Sequence, residues 1–190
     1  MPRLFTGLEV PSEIASELAM LRGGLYGARW IDEENYHITL RFFGDIDHVA
    51  ARDLFHELWQ VRRAPITVAL EGLSIFGSDR PRSIIMRIRP NAALAELQAE
   101  HERIARRVGL PPETRKYTPH ITLARLRGVS QMAVADYLGA RSYVPSCSFS
   151  ADEFVLFSSR DSVGGGPYLA EANYPLRPRQ TAGLSMSISG

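Results

Sequence analysis

The sequence predicts an α+β fold built mainly from antiparallel sheet. Three observations predict it. Single helices alternate with hairpin-like pairs of strands, which favours segregated α+β layers over a doubly wound parallel sheet. No glycine-rich loop follows a strand and opens a helix, so a dinucleotide or P-loop fold has no support. One tetrapeptide recurs verbatim, once in each half of the chain.

Residues 3–10 read as a first strand, ended by Pro11. Residues 12–25 read as a helix: Ile14, Leu18, Leu21 and Leu25 recur at helical spacing, and Gly23-Gly24 marks its end. Residues 28–31 form a short strand, residues 32–35 a turn, and residues 36–43 a strand. Asp47 is placed to cap a helix running to about residue 62. Residues 66–76 and 83–89 pair as strands. Asn91 then caps a helix to residue 108, with Leu94, Leu97, His101 and Ile104 on one side. Residues 117–126 form a strand and 130–140 a short helix. Residues 147–158 and 168–176 form the last two strands, separated by a flexible loop at Gly164-Gly165-Gly166. The segment 177–190 carries little pattern and is expected to be a flexible tail. Residues 1–176 are expected to form one domain.

The chain has 190 residues, 45% hydrophobic and 23% charged, enough to bury a core without staples. Cys147 is the single cysteine, so no intrachain disulfide can form. No apolar run approaches the roughly 20 residues that cross a bilayer. The opening Met1-Pro2-Arg3-Leu4 lacks the apolar core of a secretory signal, so a soluble, cytoplasmic protein is expected. The net charge is +1, which argues against a protein that wraps a long nucleic acid. It leaves room for one that handles a nucleotide or a strand end. Lys116 is the one lysine among 22 basic residues, and arginine suits bidentate phosphate contacts.

The repeat is His37-Ile38-Thr39-Leu40 and His120-Ile121-Thr122-Leu123. Side chains alternate along a strand, so His37, Thr39 and Arg41 are expected on one polar face and Ile38, Leu40 and Phe42 on the core face. His120 and Thr122 form the matching polar pair. If two such strands face each other, two imidazoles and two hydroxyls converge. Histidines can serve as base and acid near neutral pH, and hydroxyls can donate to anionic oxygens. That set suits in-line displacement at phosphorus without a metal. A metal site is disfavoured, because no cysteine or acidic ligand clusters with the histidines at suitable spacing.

Residues 36–45 and 117–125, with Arg3-Leu4-Phe5 and Trp30, resemble the RNA 2′,3′-cyclic phosphodiesterases, long called 2′-5′ RNA ligases, of the 2H phosphoesterase superfamily. The resemblance covers residues 1–176. It implies two pseudo-symmetric lobes, each an antiparallel sheet with outer helices, around a central cleft. It implies hydrolysis of a 2′,3′-cyclic phosphate at an RNA 3′ end to a 2′-phosphomonoester, with no cofactor and no obligatory protein partner, by a monomer. His37 would be the general acid and His120 the general base, although two identical motifs leave that order open. Thr39 and Thr122 would bind phosphate oxygens, and so would Arg125, five residues after the second histidine. Strict alternation puts Arg125 on the wrong face. Either a bulge re-aims it or its long side chain reaches round the strand end.

Arg41 and Arg115-Lys116 are further candidates for phosphate. Phe5, Trp30 and Tyr117 are candidates to stack on a base, whereas Tyr36 alternates into the core. His48, His56 and His101 are assigned no chemistry. Three rival readings remain: a smaller substrate such as a cyclic nucleotide or ADP-ribose cyclic phosphate, weak reversible 2′-5′ ligation, and a non-catalytic binder of RNA ends.

Overall fold

The computed structural model describes residues 3–141, 147–159 and 166–178. The expected tail, from residue 179 onward, and Gly164-Gly165 of the expected flexible loop lie outside the described residues. The described elements run β1 (Arg3–Glu9), α1 (Ser12–Ala19), β2 (Ala28–Trp30), a 3-10 helix (Glu33–Asn35), β3 (His37–Asp45), α2 (His48–Leu58), β4 (Ile66–Phe76), β5 (Ser83–Ile88), α3 (Ala92–Arg107), β6 (His120–Leu126), α4 (Gln131–Gly139), β7 (Ser148–Ala151), β8 (Glu153–Ser159) and β9 (Tyr168–Pro175).

Every described strand pairing is antiparallel. The strand order is β7-β4-β5-β6-β3-β1-β8-β9, with β2 added to β6. Read outward from the middle, one half is β6-β5-β4-β7 and the other β3-β1-β8-β9. The two motif strands are the innermost of each half and touch through a single pair, Ile38 with Ile121. Beyond it they part. The backbone groups released by the parting find other partners, as buried backbone must. Leu123 O accepts from the Ile31 N–H at 2.9 Å, and Thr39 O accepts from the Tyr117 hydroxyl at 3.1 Å.

Local sequence explains the helix starts. The Asp47 carboxylate accepts from the N–H groups of Val49 and Ala50, and the Asn91 side chain from those of Ala93 and Leu94. Leu94, Leu97, His101 and Ile104 are buried where α3 packs across β3 and β4. Leu54 and Leu58 of α2 are buried as well, and α2 packs beside α3. Among the described residues, no helix is long and apolar enough to cross a membrane.

Four element boundaries differ from expectation, one of them the end of α2, which stops at Leu58 rather than about residue 62. The first helix stops at Ala19 rather than residue 25. Tyr137 and Arg141, at the end of α4, donate to the carbonyl of Leu21, and Arg141 also to that of Gly23, so this chain end is held without further helical turns. The strand expected over 147–158 is two strands. It breaks at Asp152, whose carboxylate accepts from Ser150 Oγ at 2.6 Å. The chain there leaves β4 and crosses to β1 in the other half. The strand expected from residue 117 begins only at His120. Thr118 O instead accepts from that histidine's ring, and Tyr117 turns inward to Thr39.

Candidate active site

The parting of β3 and β6 opens a cavity of about 520 Å³, lined by His37, Thr39, His120, Thr122 and Arg125 among others. Both histidines are held the same way. His37 Nδ1 lies 2.8 Å from the carbonyl of Asn35, and His120 Nδ1 lies 2.7 Å from that of Thr118. A carbonyl can only accept, so each Nδ1 carries a hydrogen and each neutral ring keeps its lone pair on Nε2. The two copies of the motif thus share the carbonyl two residues before the histidine as well as the side chains.

Rings pack around each imidazole. His37 stands against Phe5 and Tyr168, each with ring centroids 5.0 Å away. His120 meets the edge of Phe76 at 4.7 Å. Gly7 on β1 makes room for His37. A Cβ there would sit 3.0 Å from Ile38 O and 3.5 Å from His37 Cδ2. Burial pushes the His37 pKa down to about 4, helped by the charges of His120 and Arg125 and opposed by the Asn35 hydrogen bond. His120 is lowered too, again chiefly by burial, with Arg125 adding to it and the Thr118 hydrogen bond opposing.

A bulge in each motif strand decides which way the residues beyond the threonine point. In β6 the register with β5 slips so that Ile85 faces Thr122 while Ile84 faces Ala124, and Leu123 is the extra residue. Leu123 and Ala124 are both buried, alternation is reset, and Arg125 emerges exposed on the same side as His120 and Thr122. Of the two routes open for Arg125, this is the bulge. In β3 the register with β1 slips likewise between Thr6 and Gly7, leaving Leu40 as the extra residue.

That second bulge overturns the expected facing of Arg41 and Phe42. Arg41 turns to the helix side and is 8% exposed. Its Nε pairs with Glu102 on α3 at 2.6 Å, Nη2 donates to Pro111 O at 2.7 Å, and Nη1 donates to Phe42 O. It lines the cavity with each of its three guanidinium nitrogens already hydrogen-bonded within the protein. Phe42, expected in the core, is 51% exposed and lines the cavity. No single-strand periodicity could reveal this. The available signal was its position five residues after His37, the same offset as Arg125 from His120.

The aromatic candidates separate in the same way. Phe5 is 1% exposed and packs beneath His37 and Phe42, so it offers no face to a base. Trp30 packs on Tyr137 and is not among the cavity-lining residues. Tyr117 and Tyr168 line the cavity, and the Tyr117 hydroxyl is tied to Thr39 O. Tyr36 is buried, as its alternation implied. Arg115 and Lys116 line the far end, where Arg115 is paired with Glu113. Among the described residues, no three His, Cys, Asp or Glu side chains cluster closely enough to hold a metal ion.

Comparison with known proteins shows the same two-part layout. The sequence matches the family described as LigT like Phosphoesterase in two stretches, residues 8–86 and 88–168, one around each motif. A protein of Aeropyrum pernix named RNA 2′,3′-cyclic phosphodiesterase is 35% identical over 104 residues, covering 54% of this chain and 59% of that protein. A Methanocaldococcus jannaschii protein of the same name is 24% identical over 87% of this chain and 96% of its own length. The matched stretch is thus a little over half of the first relative and nearly all of the second. In structure, the chain is similar to E. coli LigT complexed with 3′-AMP, with a TM-score of 0.74, 24% identity and coverage of 93% and 99% of the two chains. It is also similar to TT0787 of Thermus thermophilus, with a TM-score of 0.78, 20% identity and the same two coverages.

Proposed function

Because the chain belongs to the LigT-like phosphoesterase family, we propose that it hydrolyses 2′,3′-cyclic phosphates at RNA 3′ ends to 2′-phosphomonoesters, without a metal. One observation carries this reading. Each histidine has its Nδ1 fixed by a backbone carbonyl, and both rings, with two threonines and Arg125, line one cavity. Binding phosphate alone would need cations, whereas a pair of identically oriented imidazoles serves proton transfer.

The steps derive from the groups present. Thr39 and Thr122 hydroxyls and the Arg125 guanidinium donate to the non-bridging oxygens of the cyclic phosphate. His120 Nε2 takes a proton from water as the water oxygen bonds to phosphorus. The bond from phosphorus to the 3′ oxygen breaks, and His37 gives that oxygen its proton from Nε2. His37 must therefore enter protonated, and the anionic phosphate beside it supplies a favourable charge that the protein alone does not. Phe42 presents the exposed ring next to this point that was expected of Phe5. Run in the same direction with an RNA 5′-hydroxyl in place of water as the nucleophile, the site would form a 2′-5′ linkage as the 3′ oxygen leaves, at low yield against abundant water.

The opposite order, His37 as base and His120 as acid, has one observation in its favour: burial holds His37 down to about 4. A sulfur in place of the 3′ bridging oxygen separates the two orders, because a thiolate leaves without a proton. It should restore the variant that lacks the acid and not the one that lacks the base.

The direct test is incubation in EDTA with a short RNA ending in a 2′,3′-cyclic phosphate. A 2′-phosphomonoester is expected. A 3′-phosphate would overturn the regiochemistry, and no product would shift the reading to a binder of RNA ends.

A further inference from the structure

Among the described residues, two of the five arginine and lysine side chains that line the cavity are paired with carboxylates, Arg41 with Glu102 and Arg115 with Glu113. Away from the cavity, arginines such as Arg63 and Arg107 are paired with glutamates as well. Arg82, Lys116 and Arg125 line the cavity, and among the described residues none has an acidic partner. Arg125 alone suffices for the non-bridging oxygens of one phosphate, so Arg82 is left over.

Arg82 is also held in place. Its N–H donates to Phe76 O at 2.8 Å, and its carbonyl accepts from the Leu126 N–H at 2.8 Å. Its Cγ lies beside the turn at Gly77, where a Cβ would meet it at 3.2 Å. The next residue, Ser83, is directly opposite Arg125 in the β5–β6 register, and Arg29 is opposite Arg125 on the other side. Arg82 thus stands next to the position that faces Arg125, and both side chains line the cavity. Like charges on neighbouring strands repel, and an anion bound between them removes the repulsion. Arg82 and Arg125 line the same cavity from neighbouring segments of chain, so one can engage the cyclic phosphate and the other a neighbouring one. Phe42 and Tyr168 line the cavity as well and offer aromatic surface there.

We infer that Arg82 binds a second phosphate of the substrate, the group esterified to the 5′ oxygen of the terminal nucleoside. This rests on the reading of the cleft as a cyclic phosphodiesterase site. The group has two possible sources, the last internal phosphodiester of an RNA chain or the 5′-phosphate of a free nucleotide. The inference makes Arg82 a residue that sets substrate class, favouring substrates with this second anion over a bare nucleoside cyclic phosphate.

Three substrates test it: a nucleoside 2′,3′-cyclic phosphate with a free 5′-hydroxyl, the same compound with a 5′-phosphate, and a dinucleotide ending in the cyclic phosphate. The wild-type protein is expected to prefer one or both of the latter by about tenfold in kcat/KM, the usual worth of a charge-assisted hydrogen bond. The preference should lie in KM. Arg82→Ala is expected to abolish it and Arg82→Lys to retain part of it. Preference for the dinucleotide alone identifies the chain phosphodiester, and preference for both identifies any 5′-phosphate. Equal efficiency on all three substrates, or a preference that survives in Arg82→Ala, overturns the inference and leaves the cyclic phosphodiesterase reading standing. Hydrolysis of none of the three overturns both.

Discussion

Phe42 and Arg125 occupy equivalent places in the two halves of the fold. Each lies five residues after its histidine, each comes after a one-residue bulge, and each lines the same cavity. The sheet is pseudo-symmetric to this depth and then differs in chemistry. One half offers an aromatic ring and the other a guanidinium. On the proposed function, that asymmetry matches a substrate with a nucleoside on one side and a phosphate on the other.

Arg125→Ala is expected to lower kcat/KM by about ten- to a hundredfold, as the loss of a charged donor to phosphate does. Arg125→Lys should recover only part, because a single ammonium cannot make the bidentate contact. Phe42→Ala should raise KM for substrates with a base and leave kcat nearly unchanged. Steady-state kinetics of the three variants on one cyclic nucleotide checks this. Equal losses in kcat from Phe42→Ala and Arg125→Ala would contradict the division of labour.

The direction of the two histidine shifts sets the pH dependence. The base must be neutral, so activity rises as pH passes the lower of the two pKa values. The acid must be protonated, so activity falls as pH passes the higher. Burial lowers His37 to about 4 and also lowers His120. The kcat/KM profile, which reports the free enzyme, should therefore be bell-shaped with its maximum on the acid side of the ordinary histidine pKa. The kcat profile should sit at higher pH, because bound phosphate favours the imidazolium. Coincident profiles would show that the substrate's charge does not reach the histidines.

Much of this site was legible in the sequence, for physical reasons that can be stated. A verbatim His-Ile-Thr-Leu on two strands fixes which side chains share a face, because strand alternation is local and strict. Asp47 and Asn91 announced their helices because capping chemistry is local as well. The parts that escaped depend on pairing between distant strands. The bulges at Leu40 and Leu123 arise from the registers with β1 and β5, and they alone decide where Arg41, Phe42 and Arg125 point. Phe5 was read as a surface for a base because nothing in residues 3–9 reveals that Phe42, Phe157 and Tyr168 cover it.

His101 makes the fold sensitive to acid. It is fully buried, its Nδ1 lies 2.9 Å from Thr6 Oγ1, and burial lowers its pKa to about 3. The unfolded chain binds a proton near pH 6.5, whereas the folded one resists it. The stability from this group is fully present above about pH 6.5 and is lost as pH falls toward about 3, by on the order of 2 kcal/mol at about pH 5. Urea unfolding at about pH 7.5 and about pH 5 should show that loss, and His101→Gln should reduce it. An unchanged pH dependence in the variant would place the acid sensitivity elsewhere.

Glu102 secures the back of the site. It accepts from Arg41, from Arg106 and from the Glu113 N–H, joining β3, α3 and the segment that leads to His120. Glu102→Ala leaves the guanidinium of Arg41 buried without its carboxylate, and about 3 kcal/mol of stability is expected to go with it. Denaturant titration measures the loss. The double variant Glu102→Ala, Arg41→Ala should recover part of it, and no recovery would mean that the buried charge is not the cause.

The central claim is that two histidines share the proton transfers, and single-turnover rates on an RNA 2′,3′-cyclic phosphate test it most directly. His37→Ala and His120→Ala are each expected to slow the chemical step by about a hundredfold or more, with RNA still bound. A wild-type rate in either variant would contradict the two-histidine mechanism.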